Sequence, residues 1–323
     1  MVPASHRHAA RRDPRPARLA LVAFGVTLTA SPTTANAGAG APTHPAVRQE
    51  VSATRHNAGV PTHPPARPEV SATRQAAAAT RQAAAATGLD DPAKKEIAMQ
   101  LISSAENSTL NWKAQYTYIE DVGDGCGYTA GIIGFCSGTG DMLDLVELYT
   151  QRKPGNVLAK YLPALREVNG TDSHDGLDPN FAEDWAIAAS DPAFEQAQND
   201  ERDRVYFNPA VSRGKADGIG TLGQFAYYDA IVMHGDGDGD DGTSFTAIRE
   251  RALAKAKPPA QGGNEVTYLN AFLDARVWAM QQVEAHSDTS RVDTAQRVFL
   301  NNGNLNLDPP LDWKVYGDSY HIG

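Results

Sequence analysis

Gly123 to Asp141 reads GDGCGYTAGIIGFCSGTGD. Seven glycines, two acids and both cysteines of the chain fall in this one stretch. Glycine at this density marks tight turns, or backbone that must approach a ligand closely. Inside it, YTAGIIGF sets β-favouring residues between glycines and predicts one or two short strands of a small sheet. Asp124 lies on the loop leading in, and Thr129 follows five residues on. A carboxyl presented by such a loop raises the question of its partner.

The partner is sought upstream, in GLDDPAKKEIAMQLISSAEN (88–107). Asp90 or Asp91 is a natural N-cap, Pro92 suits the first turn, and Glu96 is an early acid. Ile97, Leu101, Ile102 and Ala105 recur at helical spacing as one apolar stripe. The helix is expected to end near ENST, which places Glu106 at its C-terminal end. The negative end of a helix dipole disfavours a charged carboxylate, a setting that suits a general acid. An ordinary exposed last-turn glutamate is the plainer alternative. LNWKAQYTYIED (110–121) reads as helical, with Trp112, Tyr116 and Tyr118 as anchors. One carboxyl at a helix end and a second 18 residues later beside a β element is a lysozyme-like placement of acid and base across a cleft. Two carboxyls flanking a glycosidic bond are what its hydrolysis requires.

The remainder is expected to be mostly helical, over 154–168, 194–207, 215–235, 244–256, 264–285 and 290–303. The fold class is therefore mainly α, α+β of lysozyme-like kind, with a small sheet beside the cleft. FAYYDAIVM (225–233) contains a single charge, Asp229. A helix apolar all round is buried, and a lone buried carboxylate is costly unless paired. Arg276 in FLDARVWAM and Arg291 in TSRVDT lie in similar settings and are the expected partners. Such a network either locks the helices together or brings an arginine to Glu106. NDERDR (199–204) reads as a solvated helix face with i,i+4 pairs. HGDGDGDDG (234–242) fails as an EF-hand, since counting from Asp236 the sixth position is Asp241 and the twelfth Ala247. It reads as an acidic loop at the cleft mouth. His174, His234, His286 and His321 show no metal spacing, nor do Cys126 and Cys136, so no metal site is expected.

Charge is divided along the chain. Residues 1–88 hold ten arginines, no lysine and three acids (Asp13, Glu50, Glu69), net +7; the whole chain is −10, so the rest carries −17. An acidic domain disfavours nucleic acid and anionic membrane and attracts cationic ligands, although acidity also serves solubility. Residues 1–37 read as a signal peptide: a basic start, the apolar run Leu19 to Ala30, and small residues at Ala35 to Ala37. Arg11–Arg12 leaves a twin-arginine route open beside the general one. Residues 38–88 repeat PTHPxxRxEVSATR and TRQAAAA twice each, are rich in Ala and Pro, and read as a disordered linker. A secreted, extracellular protein follows, with its folded domain over 89–323. The two cysteines flank a short extended run and are expected to be free thiols, Cys126 the more exposed. A disulfide would need that run to fold back as a hairpin.

SSAEN, EDVGDGCGYTAGIIGFCSGTGD, QNDERDRVYF, LGQFAYYDAIVMHG, PAQGGNEVTYLNAFLDAR, DTSRVDTAQRVF and DPPLDW follow one another through residues 88–323. In that order they resemble the chitosanases of glycoside hydrolase family 46, of streptomycete type. The resemblance implies a mainly helical, two-lobed fold. It also implies endo-hydrolysis of chitosan, a cationic polysaccharide, with inversion and no cofactor, by a monomer. On this chain Glu106 would be the general acid, Asp124 the general base, and Thr129 a holder of the attacking water. Asp141 would bind substrate amines, with Asn107, Tyr118 and His234 lining the cleft. Asp229, Arg276 and Arg291 would stand behind Glu106. Two positions depart from the pattern. Cys126 stands where members commonly carry a basic residue, and members keep a cysteine at the second position with none at the first. Val283 stands where they carry an acid, with Glu284 beside it. A lysozyme or lytic transglycosylase acting on peptidoglycan, and a non-catalytic polysaccharide-binding protein, are the competing readings.

Overall fold

The computed structural model describes residues 88–123, 125–237, 242–283 and 287–323. The signal, all but the last residue of the linker, Asp124, residues 238–241 of the acidic loop, and residues 284–286 with Glu284 and His286 lie outside the described residues.

Helix α1 spans Pro92–Glu106. Asp91 caps it, its Oδ1 accepting from the N–H groups of Ala93 at 3.0 Å and Lys94 at 3.3 Å. The helix ends at Glu106, where Asn107 closes the last turn by donating to the Ser103 carbonyl at 2.8 Å. More than a stripe is buried: every residue from Leu101 to Ala105 is inside, so the end of α1 that carries Glu106 is driven into the core.

The segment read as a second helix divides instead. Trp112–Thr117 is a short 3-10 turn, and Ile119–Asp121 forms strand β1. The β-branched and aromatic residues at 117–119 favour extended backbone once a partner strand exists. That partner is β2, Tyr128–Ala130, followed by β3, Phe135–Cys136. The three make an antiparallel sheet in chain order, with Ile119 opposite Ala130 and Thr129 opposite Cys136. Gly131 and Gly134 turn the chain between β2 and β3 with φ of 75° and 76°, a region costly for side-chain-bearing residues. This hairpin brings the Cα atoms of Cys126 and Cys136 to 5.9 Å, and the two are joined by a disulfide. The expectation of free thiols is therefore corrected. YTAGIIGF folds back on itself, and Cys126 is buried, not exposed.

Helices α2 (Asp141–Arg152), α3 (Leu162–Val168), α4 (Phe181–Ala188) and α5 (Pro192–Arg202) follow. A π-helical turn at Asp203–Phe207 leads into α6, Asn208–Asp217. The charged run NDERDR is not a solvated face throughout. Glu201 and Arg202 are buried, Arg202 bonding Asn199 and Asp203 and Glu201 accepting from Arg204. Next come α7 (Thr221–His234), α8 (Phe245–Leu253), α9 (Glu265–Gln282), a π-helical turn at Val292–Gln296, and α10 (Arg297–Asn301). A C-terminal hairpin pairs β4 (Leu311–Val315) with β5 (Asp318–Ile322). The fold is mainly α with a few strands.

One continuous apolar cluster runs through these elements. Two groups of rings lie within it. Tyr149, Phe194, Trp185, Phe181 and Tyr161 pack edge to face or tilted under the sheet-bearing part. Tyr227, Phe245 and Phe272 pack between α7, α8 and α9. Helix α7 passes through the middle, buried at every residue from Thr221 to Met233.

Candidate active site

The geometry begins at the buried carboxylate of α7. Asp229 Oδ2 accepts from the Arg276 guanidinium of α9 and from Gln296 Nε2 at 2.7 Å. Asp229 Oδ1 accepts from Arg291 Nη2 at 2.6 Å, and that same nitrogen donates to Glu106 Oε1 at 2.7 Å. A line of alternating charge therefore runs Arg276, Asp229, Arg291, Glu106. Burial raises the Asp229 carboxyl, but the two arginine charges and their hydrogen bonds outweigh it and hold it at about 2. Burial by itself would lower the Arg291 guanidinium. Asp229 and Glu106, one on each side, raise it well above its ordinary value. Burial lowers Arg276, with the Arg291 charge adding to it, and the charges of Asp229 and Glu106 do not overcome this. The outcome is a fixed positive group against one oxygen of Glu106, whose side chain is only 7% exposed.

Two residues of this region carried no signal in the sequence. Gln296 is neutral and sits in a helical run, yet it supplies the third donor to Asp229. Tyr316 lies in the turn between β4 and β5; burial raises its phenol, and the charges of Arg291, Glu106 and Asp229 all reach it. A cavity of about 10 Å³, bordered by Ser104, Asp229, Arg291, Gln296 and Trp313, lies beside the line.

A second cluster sits on the three-stranded sheet. Thr129, buried on β2, places its hydroxyl 3.5 Å from Cys126 Sγ and 3.6 Å from Cys136 Sγ. The N–H of Cys136 donates to Asp141 Oδ1 at 3.0 Å, so β3 links Thr129 to Asp141. Asp141 opens α2 and also accepts from Thr139 Oγ1 at 2.6 Å and from its neighbour Met142 N at 3.0 Å. Burial nevertheless wins over these bonds and pushes its carboxyl up to about 6. Tyr206 is packed close by; burial and then the Asp141 charge push its phenol well up.

The loop holding Asp124 is anchored at both described ends. Asp121 Oδ1 accepts from Gly123 N at 2.8 Å, and Cys126 carries the disulfide. His174 stacks on Tyr128 at 4.0 Å between centroids and lies 3.3 Å from Asp121 and 3.6 Å from Asp178. Sequence reading did not place His174 near this loop.

The remaining expected residues sit at element ends. Asn107 caps α1 directly after Glu106, His234 is the last residue of α7, and Tyr118 precedes β1, its carbonyl accepting from Gly131 N at 2.8 Å. Asp236, in the described part of the acidic loop, pairs with Arg213.

The family model for glycosyl hydrolase family 46 matches residues 100–311. A chitosanase of Streptomyces sp. (strain N174) is 71% identical over 235 residues, 73% of this chain and 84% of that protein. Among solved structures, chitosanase OU01 with substrate is 58% identical with a TM-score of 0.71, covering 73% of this chain and 99% of that one. The family 46 chitosanase of Gynuella sunshinyii, in complex with chitotetraose, is 35% identical with a TM-score of 0.65, covering 71% and 97%. With the family model matched over most of the chain, this protein belongs to glycosyl hydrolase family 46.

Proposed function

We propose that this protein is a secreted, monomeric, endo-acting chitosanase that cleaves β-1,4 bonds between glucosamine units with inversion. The observation that carries the reading is Glu106. A carboxyl at a helix terminus is held by Arg291 within a buried charge line, in a chain 71% identical to a chitosanase. Glu106 is the general acid and protonates the glycosidic oxygen. Asp124 is the general base and takes a proton from water on the opposite face of the sugar. Inversion requires room for that water, which sets the two carboxyls roughly 6.5–9.5 Å apart. Thr129 holds the water. Arg291, fixed by Asp229, keeps Glu106 in one orientation through the proton transfer, and Arg276 keeps Asp229 charged. Asp141, Asn107, Tyr118 and His234 bind the polymer, with Asp141 meeting a substrate ammonium.

This acid–base pair needs no cofactor. The net −17 of the chain after residue 88 draws in a cationic polymer and disfavours nucleic acid and anionic membrane. Residues 1–37 direct export, and 38–88 serve as a spacer to the catalytic domain at 89–323. Proton NMR of glucosamine oligomers during the first turnovers tests the reading. The α-anomer should appear first at the new reducing ends. Initial β-anomer would remove the inverting assignment, and no new reducing ends would remove the enzyme.

A further inference from the structure

The disulfide lies against a hydroxyl to which the reading above gives a role in the reaction. Thr129 and Cys136 are direct cross-strand partners, so their side chains share one face of the hairpin. Cys126, three residues before Thr129, closes over the same face through the bond to Cys136. The Thr129 hydroxyl thus sits 3.5 Å and 3.6 Å from the two sulfurs. The threonine has little freedom to leave. It is buried, its χ1 is restricted by branching at Cβ, and its methyl faces Gly134, where an added Cβ would stand 3.3 Å from it.

The contact has a direction. Sulfurs joined in a disulfide carry no hydrogen and can only accept. The Thr129 hydroxyl therefore donates to sulfur, and its oxygen keeps its lone pairs for accepting. A free thiol at either position could donate instead and occupy those lone pairs. We propose that the Cys126–Cys136 disulfide is a positioning element of the hydrolytic reaction, holding the Thr129 hydroxyl as an acceptor toward the attacking water. One water hydrogen then goes to Thr129 Oγ1 and the other to the base, and an oxygen lone pair is left facing the sugar carbon. This rests on the reading of Thr129 as the water-holding residue.

A cycle of variants separates this role from that of a structural staple. Cys126→Ala with Cys136→Ala is made in the wild-type and in the Thr129→Val backgrounds. Turnover of glucosamine oligomers is measured well below each variant's melting temperature. With Thr129 present, loss of the disulfide should lower kcat about three- to tenfold, the scale of one hydrogen bond, with KM changed less than about twofold. In the Thr129→Val background it should cause no further fall. An equal fall in both backgrounds, or none in either, would overturn the proposal. Thr129→Val with unchanged kcat would instead remove the reading of Thr129, and the proposal with it. Should the alanine pair not fold, the wild-type protein is treated with a trialkylphosphine. The phosphine is oxidised to its oxide with oxygen from water, and the disulfide becomes two thiols. The same fall in kcat should appear and be reversed by reoxidation. Unchanged turnover with two thiols titrated per chain would contradict the proposal.

Discussion

Asp141 shows how one side chain can set a pH response. Its carboxyl is raised to about 6 by burial, so the fraction carrying charge falls as pH drops through that value. A neutral Asp141 no longer attracts a substrate ammonium. KM for glucosamine oligomers should therefore rise as pH falls from 7 to 5, by more than any change seen in Asp141→Asn, which has no charge to lose. The substrate's own titration is common to both proteins and cancels in the comparison. Parallel KM profiles would show that Asp141 does not meet the amine. At this scale the sequence was legible where burial and charge conflict. Asp229, alone in an apolar run, demands cationic partners, and Arg276 and Arg291 are two arginines that fit that demand. Gln296, His174 and Tyr316 created no such conflict. A neutral amide in a helix and a histidine in a polar loop can sit anywhere, and only the folded chain shows what they touch.

Between the sheet and the following loops, elements approach closely enough for one glycine to matter. A Cβ on Gly138 would stand 2.2 Å from the Thr171 carbonyl and 2.9 Å from that of Cys126. Backbone on both sides leaves it no space, so Gly138→Ala should destabilise the protein by about 1–3 kcal/mol, the usual cost of overpacking. Urea unfolding would measure this, and an unchanged midpoint would mean the loops part without cost. The small sheet was legible from alternating glycines and β-formers, but its closure into a hairpin was not. That closure decides whether the cysteines meet, because extended backbone would carry them far apart. Helix α2 lies outside the segments expected to be helical, although DMLDLVELYTQR buries Met142, Leu145, Val146 and Tyr149 at helical spacing. The C-terminal hairpin is not legible in the sequence, because its turn, Tyr316–Gly317, lacks the usual Asn-Gly or Asp-Gly signal.

For the molecule as a whole, charge and fold serve one end. If the acidic domain steers a cationic polymer, screening that shortens to roughly 8–10 Å near physiological salt should raise the apparent KM for chitosan. Fully acetylated oligomers, which are uncharged, should respond little. An equal response from both would remove electrostatic steering from the account. Fold class could be read from the density of helical segments and the single glycine-rich stretch, since both survive errors of a few residues at element ends. The central claim is that Glu106, held by Arg291, supplies the proton that breaks the glycosidic bond. Its most direct test is turnover of chitosan by the wild-type protein and by folded Glu106→Gln, which keeps the shape and hydrogen-bonding oxygen but has no proton to give. The account predicts that kcat falls by at least ~10²-fold while substrate binding, read by calorimetry, is largely kept; turnover within a few-fold of wild type in the Gln variant would contradict it.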